Sequence, residues 1–480
     1  MIDKKSLLSS FSWVAFSNLV TKPLWMLLFV YAARVLGTSQ YGVYTLAISI
    51  VSISAIFIDF GFDYLAINRI SQDNSKLSEY FSDIFISRSS IMAILIVIVL
   101  AYGKLAQGVD DVVFASVILL LLFQTSTLLL QFLKSVTSAY QEFNKFAIMM
   151  IIEKLAITVA GFVSLFLSSS LVSFLFAITL ANMITLTAFT IYVYKTYDVK
   201  FGIASRASYW NFIKETLPIL VINIFILAYF RVDVIIMEFI LKDKNIMGIY
   251  GSIHRIVEMY MLIPTVLMST SYPIVSKYYL ENRDLAIKLV DKVLQVLIIV
   301  TLPLALIFSF NSYEVNLLFF GSQYKEGFRG LEVLIWTTLP LGFNFVLGHL
   351  LISINKQKLC AMSVGIASFL NIILNLFLTS YYSFVGTSIA LLITETFIFV
   401  FYGYFTLKHF GPIMLKVYLQ KIVQIILINM GAFYLYSKLY PYNFIVCVSY
   451  LVVLNLICLY IYGFLRINSI KNLVSLKSTV

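Results

Sequence analysis

The stretch 248-GIYGSIHRIVEMYMLIPTV-266 puts three ionisable side chains, His254, Arg255 and Glu258, inside an apolar run. At about 100° per residue these positions fall within roughly a quarter turn, so they share one face of a helix. Other ionisable groups sit in similar company. The cations are Lys22, Lys154 and Arg231; the carboxylates are Glu153, Asp233, Glu238 and Glu395, with Asp59 and Asp63 four residues apart. Cations in apolar surroundings suit an anionic ligand, and carboxylates there suit binding of a proton or sodium ion. Asp59, Asp233 and Glu258 are the candidates for the second task, and Lys22, Lys154, Arg231 and Arg255 for the first. The competing use is internal pairing: Arg255 with Glu258, Arg231 with Glu238, Lys154 with Glu153, and Asp59 and Asp63 capping a helix end near Arg69. Lys22 has no acidic residue within a turn or two, and Asn18, four residues back, is its local polar partner.

The elements that must position these groups follow from composition. Apolar residues make up 61% of the 480 and charged residues 12%, against about 25% charged in soluble domains. Too few charges remain to cover a soluble surface of this size. Apolar stretches recur at 11–33, 41–61, 84–103, 112–133, 146–167, 171–194, 216–240, 246–275, 293–311, 331–354, 360–380, 384–407, 419–438 and 443–464. Their length, about 20 residues, spans a bilayer as helix and is too long and uniform for barrel strands. The expected fold is all-α, with about 14 transmembrane helices. An ionisable group at the centre of such a helix costs about 2.5–3.5 kcal/mol, so each one calls for a reason.

Lysine and arginine set the expected orientation. With the N-terminus inside, the inner connectors carry most of them, including Lys4, Lys5, Arg88, Lys134, Lys195, Lys277, Lys356 and Lys421. The outer connectors carry Arg34, Lys104, Lys242, Lys244, Lys325, Arg329 and Lys438. Both termini are therefore expected in the cytoplasm, and the net charge of +11 reads as topology, not nucleic-acid binding. The first apolar segment is too long for a signal peptide and reads as a retained helix. Cys360, Cys447 and Cys458 fall in predicted helices as small apolar groups. No phosphate loop, zinc spacing or cofactor motif is present, and no connector is long enough to house a soluble catalytic domain. Neither a metal nor a cofactor is expected, and the chain does not read as an enzyme.

The halves repeat. 41-YGVYTLAISIV-51 aligns with 247-MGIYGSIHRIV-257, while 144-NK and 164-SLFLSS-169 align with 355-NK and 375-NLFLTS-380. Six helices per half preserve orientation, which gives parallel repeats of a transporter kind, able to rock against each other. The expected organisation is a six-helix lobe at 1–194, a linker at 195–215, a second lobe at 216–407, and two extra helices with a tail at 408–480. Pro23, Pro218, Pro264, Pro303 and Pro340 fall inside predicted helices and should kink them.

Six stretches resemble the polysaccharide and O-antigen flippase family of the multidrug/oligosaccharidyl-lipid/polysaccharide exporter superfamily. They are 33-ARVLGTSQYGVYTLA-47, 57-FIDFGF-62, 232-VDVIIM-237, 248-GIYGSIHRI-256, 318-LFFGSQYKEG-327, and 371-NIILNLFL-378 with 386-GTSIALLITE-395. The resemblance implies a V-shaped, two-lobed flippase of the bacterial inner membrane. It implies a cargo of undecaprenyl-pyrophosphate-linked oligosaccharide units for O-antigen or capsule, cationic residues that hold the pyrophosphate, and an ion gradient as drive. Membrane lipids, a polysaccharide polymerase and chain-length machinery are the implied partners. Three readings compete: a multidrug antiporter, disfavoured by the buried cations; a flippase of a peptidoglycan lipid precursor; and a membrane polysaccharide polymerase, disfavoured by the short outer connectors.

Overall fold

The computed structural model describes residues 4–73, 77–105, 110–199, 210, 213–214, 216–217, 231–439 and 443–462. Regular structure among the described residues is helical. The helices are α1 (Lys4–Asp59), α2 (Phe62–Gln72), α3 (Leu77–Leu105), α4 (Asp111–Ala139), α5 (Phe143–Leu167) and α6 (Leu171–Thr196). They continue as α7 (231–241), α8 (Lys244–Tyr260), α9 (Leu262–Glu281), α10 (Arg283–Phe310), α11 (Ser312–Phe320) and α12 (Phe328–Leu334). The last four are α13 (Thr338–Ser353), α14 (Gln357–His409), α15 (Leu415–Leu439) and α16 (Phe444–Ile461).

Two helices are too long for one crossing. At about 1.5 Å per residue, the 56 residues of α1 and the 53 of α14 far exceed a bilayer core of about 30 Å. Each is two helices joined at a reversal, α1 at Gly37 (φ 73°) and α14 at Ser383 (φ 55°). The expected segments 11–33 with 41–61, and 360–380 with 384–407, are these two pairs of arms. Gly386 lets the arms of α14 approach, since a Cβ there would lie 2.0 Å from the Leu378 carbonyl oxygen.

Among the described residues, ten helical stretches are long and apolar enough to cross a membrane. Their outward faces carry apolar side chains such as Val97, Ile184, Phe377 and Val400, all more than half exposed. Such a surface belongs in lipid, not water. The chain is an all-α, multi-pass membrane protein. The expected segment at 216–240 lies largely outside the described residues, as does Pro218.

One expectation fails for a clear reason. The segment 246–275 is not one helix but two, α8 and α9, parted at Met261. Pro264 has no N–H for the Tyr260 carbonyl and its ring would clash there, so the helix stops and restarts with Pro264 in its first turn. Pro340 likewise sits in the first turn of α13, while Pro23 and Pro303 lie inside α1 and α10 as expected.

The chain forms two compact units, residues 1–252 and 253–480. In the first, α1 packs on α4 and α5, and α6 on α4 and α5. Phe62, Phe81, Phe132, Leu133 and Met149 fill a core beneath α2. In the second, α13 packs on both α14 and α9, and α15 and α16 both rest on α10.

Candidate functional site

The first unit carries a buried network of charge. Asp59 is the last residue of α1, and Phe60 and Gly61, both at positive φ, turn the chain so that Asp63 falls in the first turn of α2. The two carboxylates converge on Arg88 of α3, which is completely buried. One Arg88 Nη2 lies 3.1 Å from Asp59 Oδ1 and 2.9 Å from Asp63 Oδ1. The first is a hydrogen bond; the second is a charge contact, because Asp63 Oδ1 accepts no aligned N–H. Arg88 Nη1 donates to the Leu128 carbonyl of α4 at 2.8 Å. Burial pushes the Asp63 carboxyl up to about 6, against the pull of Arg88 and with the Asp59 charge adding to the rise.

Beside it, Glu153 of α5 is fully buried between two lysines. Lys134 Nζ of α4 lies 2.5 Å from one carboxylate oxygen and Lys154 Nζ 2.9 Å from the other. The Lys154 ammonium also stands 4.7 Å over the ring of Trp25 on α1, a cation–π contact. Lys134 is within electrostatic range of Asp63, so the two groups adjoin. Arg88, Lys134 and Lys154 balance Asp59, Asp63 and Glu153. Lys22 lies one turn before Trp25 on the same face of α1, half-buried, with no ion pair to a described residue.

Sequence reasoning paired Lys154 with Glu153, and that pair is present. It assigned Arg88 and Lys134 to connectors, and the structure corrects this. Both lie inside helices, because α3 starts at Leu77 and α4 runs on to Ala139. No local signal marks these partners, since Arg88 is 29 positions from Asp59 and Lys134 is 19 from Glu153.

Asp233 is buried and accepts from the Tyr250 hydroxyl at 2.6 Å and from the Val234 N–H at 2.8 Å, tying α7 to α8. The expected pair of Arg231 with Glu238 does not form. Glu238 is taken by Lys244, 2.5 Å away, because the turn at 242–243 folds the start of α8 back over the end of α7.

In the second unit the shared face of α8 is realised. Arg255 Nη1 lies 2.6 Å from one Glu258 oxygen and His254 Nδ1 3.5 Å from the other. Asn371, Asn375, Thr379, Thr387 and Thr394 hydrogen-bond along and across the arms of α14. Asn344 of α13 bonds Glu395. The α14 network and the Asn344–Glu395 bond were not assigned beforehand, although most of their residues stand in the stretches that carried the family resemblance, whereas the pair of Arg255 with Glu258 was expected.

The cysteines are free. Among the described residues, no group of His, Cys, Asp and Glu is arranged to hold a metal ion.

Comparison with known proteins places this architecture. The family model described as "Polysaccharide biosynthesis protein" matches residues 7–279, more than half of the chain. The chain belongs to that family. A second model, MatE, matches residues 218–377. The chain is similar to the probable low-salt glycan biosynthesis flippase Agl15 of Haloferax volcanii, at 25% identity over 75% of this chain and 74% of that one. Its fold is similar to that of the lipid II flippase MurJ, a structure solved in an inward closed conformation, with a TM-score of 0.72 at 16% identity, covering 94% of this chain and 97% of that one. A multidrug resistance MATE family transporter in an inward-facing conformation gives 0.63 at 14% identity, covering 82% and 98%.

Proposed function

We propose that this member of the polysaccharide biosynthesis family is a flippase for lipid-linked oligosaccharide. The finer reading is an undecaprenyl-pyrophosphate-linked repeat unit, moved from the inner to the outer leaflet of a bacterial inner membrane for O-antigen or capsule assembly. Both termini are cytoplasmic in this reading, an ion gradient supplies the drive, and polymerase and chain-length proteins act downstream. The working parts are the lobes at 1–194 and 216–407, joined by 195–215, with 408–480 appended.

The observation that carries the reading is the family match, joined to basic residues set in apolar surroundings. A diphosphate is a strong acceptor for ammonium and guanidinium groups. Lys22 and Lys154 stand on facing helices of the first unit with Trp25 beside them. Lys22 has no competing ion pair among the described residues, and Lys154 shares Glu153 with Lys134, so both keep capacity for an anion. Arg231 and Arg255 are further phosphate contacts. Asp59, Asp233 and Glu258 are the coupling candidates, each already holding a hydrogen-bond donor that a proton would displace. The lipid tail needs no pocket and stays in the bilayer.

The test is deletion of the gene followed by analysis of lipid-linked intermediates. Single, unpolymerised repeat units confined to the inner leaflet support the reading. Unpolymerised units on the outer leaflet would show a polymerase instead.

A further inference from the structure

Glu395 and Asn344 form a buried polar site in the second unit that the roles above leave unused. Glu395 is 2% exposed and sits near the middle of the second arm of α14, so it lies deep in the span. Asn344 of α13 is 7% exposed. Its Nδ2 donates to Glu395 Oε2 at 2.7 Å and to the Glu395 carbonyl at 2.9 Å. Its Oδ1, on the same planar amide, is buried and accepts no hydrogen bond. Buried acceptors are rarely left so. A carboxylate cannot donate, whereas a protonated carboxyl offers one O–H. A proton on Glu395 supplies a donor of the kind that Asn344 Oδ1 lacks.

A path leads away from this site. Tyr402 lies two turns further along the same arm, within electrostatic range of Glu395 and within hydrogen-bond reach of Ser363 and Cys360 on the first arm. Gly348, one turn after Asn344 on α13, makes room for the Tyr402 ring, since a Cβ there would meet a ring carbon at 3.1 Å. Cys360 Sγ in turn bonds the Gly348 carbonyl at 3.8 Å. The hydroxyls and thiol run toward the end of the span where α14 starts and finishes. Among the described residues, Tyr402 and Cys360 are the titratable groups on this path. His349 of α13 turns its Nδ1 to the Phe345 carbonyl and its ring to Tyr272, and Glu332 of α12 turns to Ser312.

We propose that Glu395 is a proton-binding site, that Asn344 holds its protonated form, and that Tyr402 relays the proton. The site deepens the ion drive of the proposed function, but its occupancy does not depend on any cargo. Infrared spectroscopy of the purified full chain in lipid, across pH, tests it through the protonated-carboxyl band. The wild type should show a band that Glu395→Gln removes and that Asn344→Leu shifts to lower pH. Glu395→Gln should melt no lower than the wild type, because its amide N–H reproduces the acid O–H toward Asn344. Tyr402→Phe should keep the band and slow its response to a pH jump. Identical bands in wild type and Glu395→Gln overturn the site, as does a Glu395→Gln protein that melts far below the wild type, the sign of an ionised carboxylate serving a buried cation. An unchanged pH-jump rate in Tyr402→Phe overturns the relay. Flipping indifferent to a proton gradient, with the Glu395 band present, sinks the ion drive alone and leaves this site standing.

Discussion

Gly42 and Gly248 meet backbone to backbone. A Cβ on Gly42 would lie 1.7 Å from the Lys244 carbonyl oxygen, and one on Gly248 would lie 1.9 Å from that of Thr38. The two glycines are equivalent positions of the internal repeat, as are the two carbonyls they face. The crossing of the second arm of α1 with α8 is therefore nearly symmetric, and Thr38 Oγ1 bonds Asn245 Oδ1 beside it at 2.8 Å. Small residues at such a crossing let helix backbones approach closely within a membrane.

Alanine at either glycine should push these backbones apart. The expected loss is about 1–3 kcal/mol for either Gly42→Ala or Gly248→Ala, the usual cost of overpacking. Gly251→Ala meets the Thr45 side chain first, at 2.2 Å, and that side chain can rotate away at the expense of its bond to the Tyr41 carbonyl. It should cost less. Melting of the three variants in detergent checks the ranking, and a Gly251→Ala protein less stable than the other two would contradict it.

The repeat thus made this crossing legible in the sequence, though only as a matched pair of glycines. The quoted family stretches proved to be mostly corners and close contacts: Gly37, Gly61 and Gly321 at positive φ, and Gly42, Gly248 and Gly386 at helix crossings. Glycine requirements are local and survive in sequence as fixed letters. Partners of buried charge do not. Asp59 is 29 positions from Arg88, and Glu153 is 19 from Lys134, and nothing in the spacing says that these helices adjoin. Local pairs such as Arg255 with Glu258 were readable because one helix turn brings them together. The pair of Arg231 with Glu238 misled because a turn, and not a continuous helix, decides which cation reaches Glu238.

Glu153 should be the costliest carboxylate to neutralise in the first unit. Glu153→Gln leaves both Lys134 and Lys154 short of a buried counterion, which costs about 3–5 kcal/mol. Lys134→Met leaves Glu153 paired with Lys154, whose ammonium is also over Trp25, and should cost less. Thermal melting of the two variants decides the order. Equal stability of Glu153→Gln and wild type would show that the triad does not hold α4 to α5.

Asp63 gives a pH signature. Its folded value, about 6, lies above that of an exposed aspartate near 4, so protonation favours the folded chain. Stability from this group is complete below about pH 4 and is lost as the pH rises through about 6. The melting temperature of the wild type relative to Asp63→Asn should therefore fall across that window. A difference that stays flat, or rises with pH, would mean that Arg88 outweighs burial.

Lys22 offers the cleanest separation of binding from stability. It has no ion pair with a described residue, so Lys22→Ala orphans no described carboxylate. The melting temperature should stay close to wild type. Lys154→Ala and Arg255→Ala, by contrast, weaken the hold on Glu153 and Glu258, and any loss of export in them mixes two causes. A charge-assisted contact to phosphate is worth about 1.5–3 kcal/mol, so losing one at Lys22 should slow flipping about ten-fold or more. Lys22→Arg should recover much of it, since a guanidinium also binds phosphate. Flipping of lipid-linked oligosaccharide by proteoliposomes, with membrane insertion checked for each variant, makes the measurement. Wild-type flipping by a correctly inserted Lys22→Ala protein would remove Lys22 from the pyrophosphate contacts. Loss in Lys22→Ala with recovery in Lys22→Arg, at an unchanged melting temperature, would show that positive charge at this position serves the cargo and not the stability of the fold.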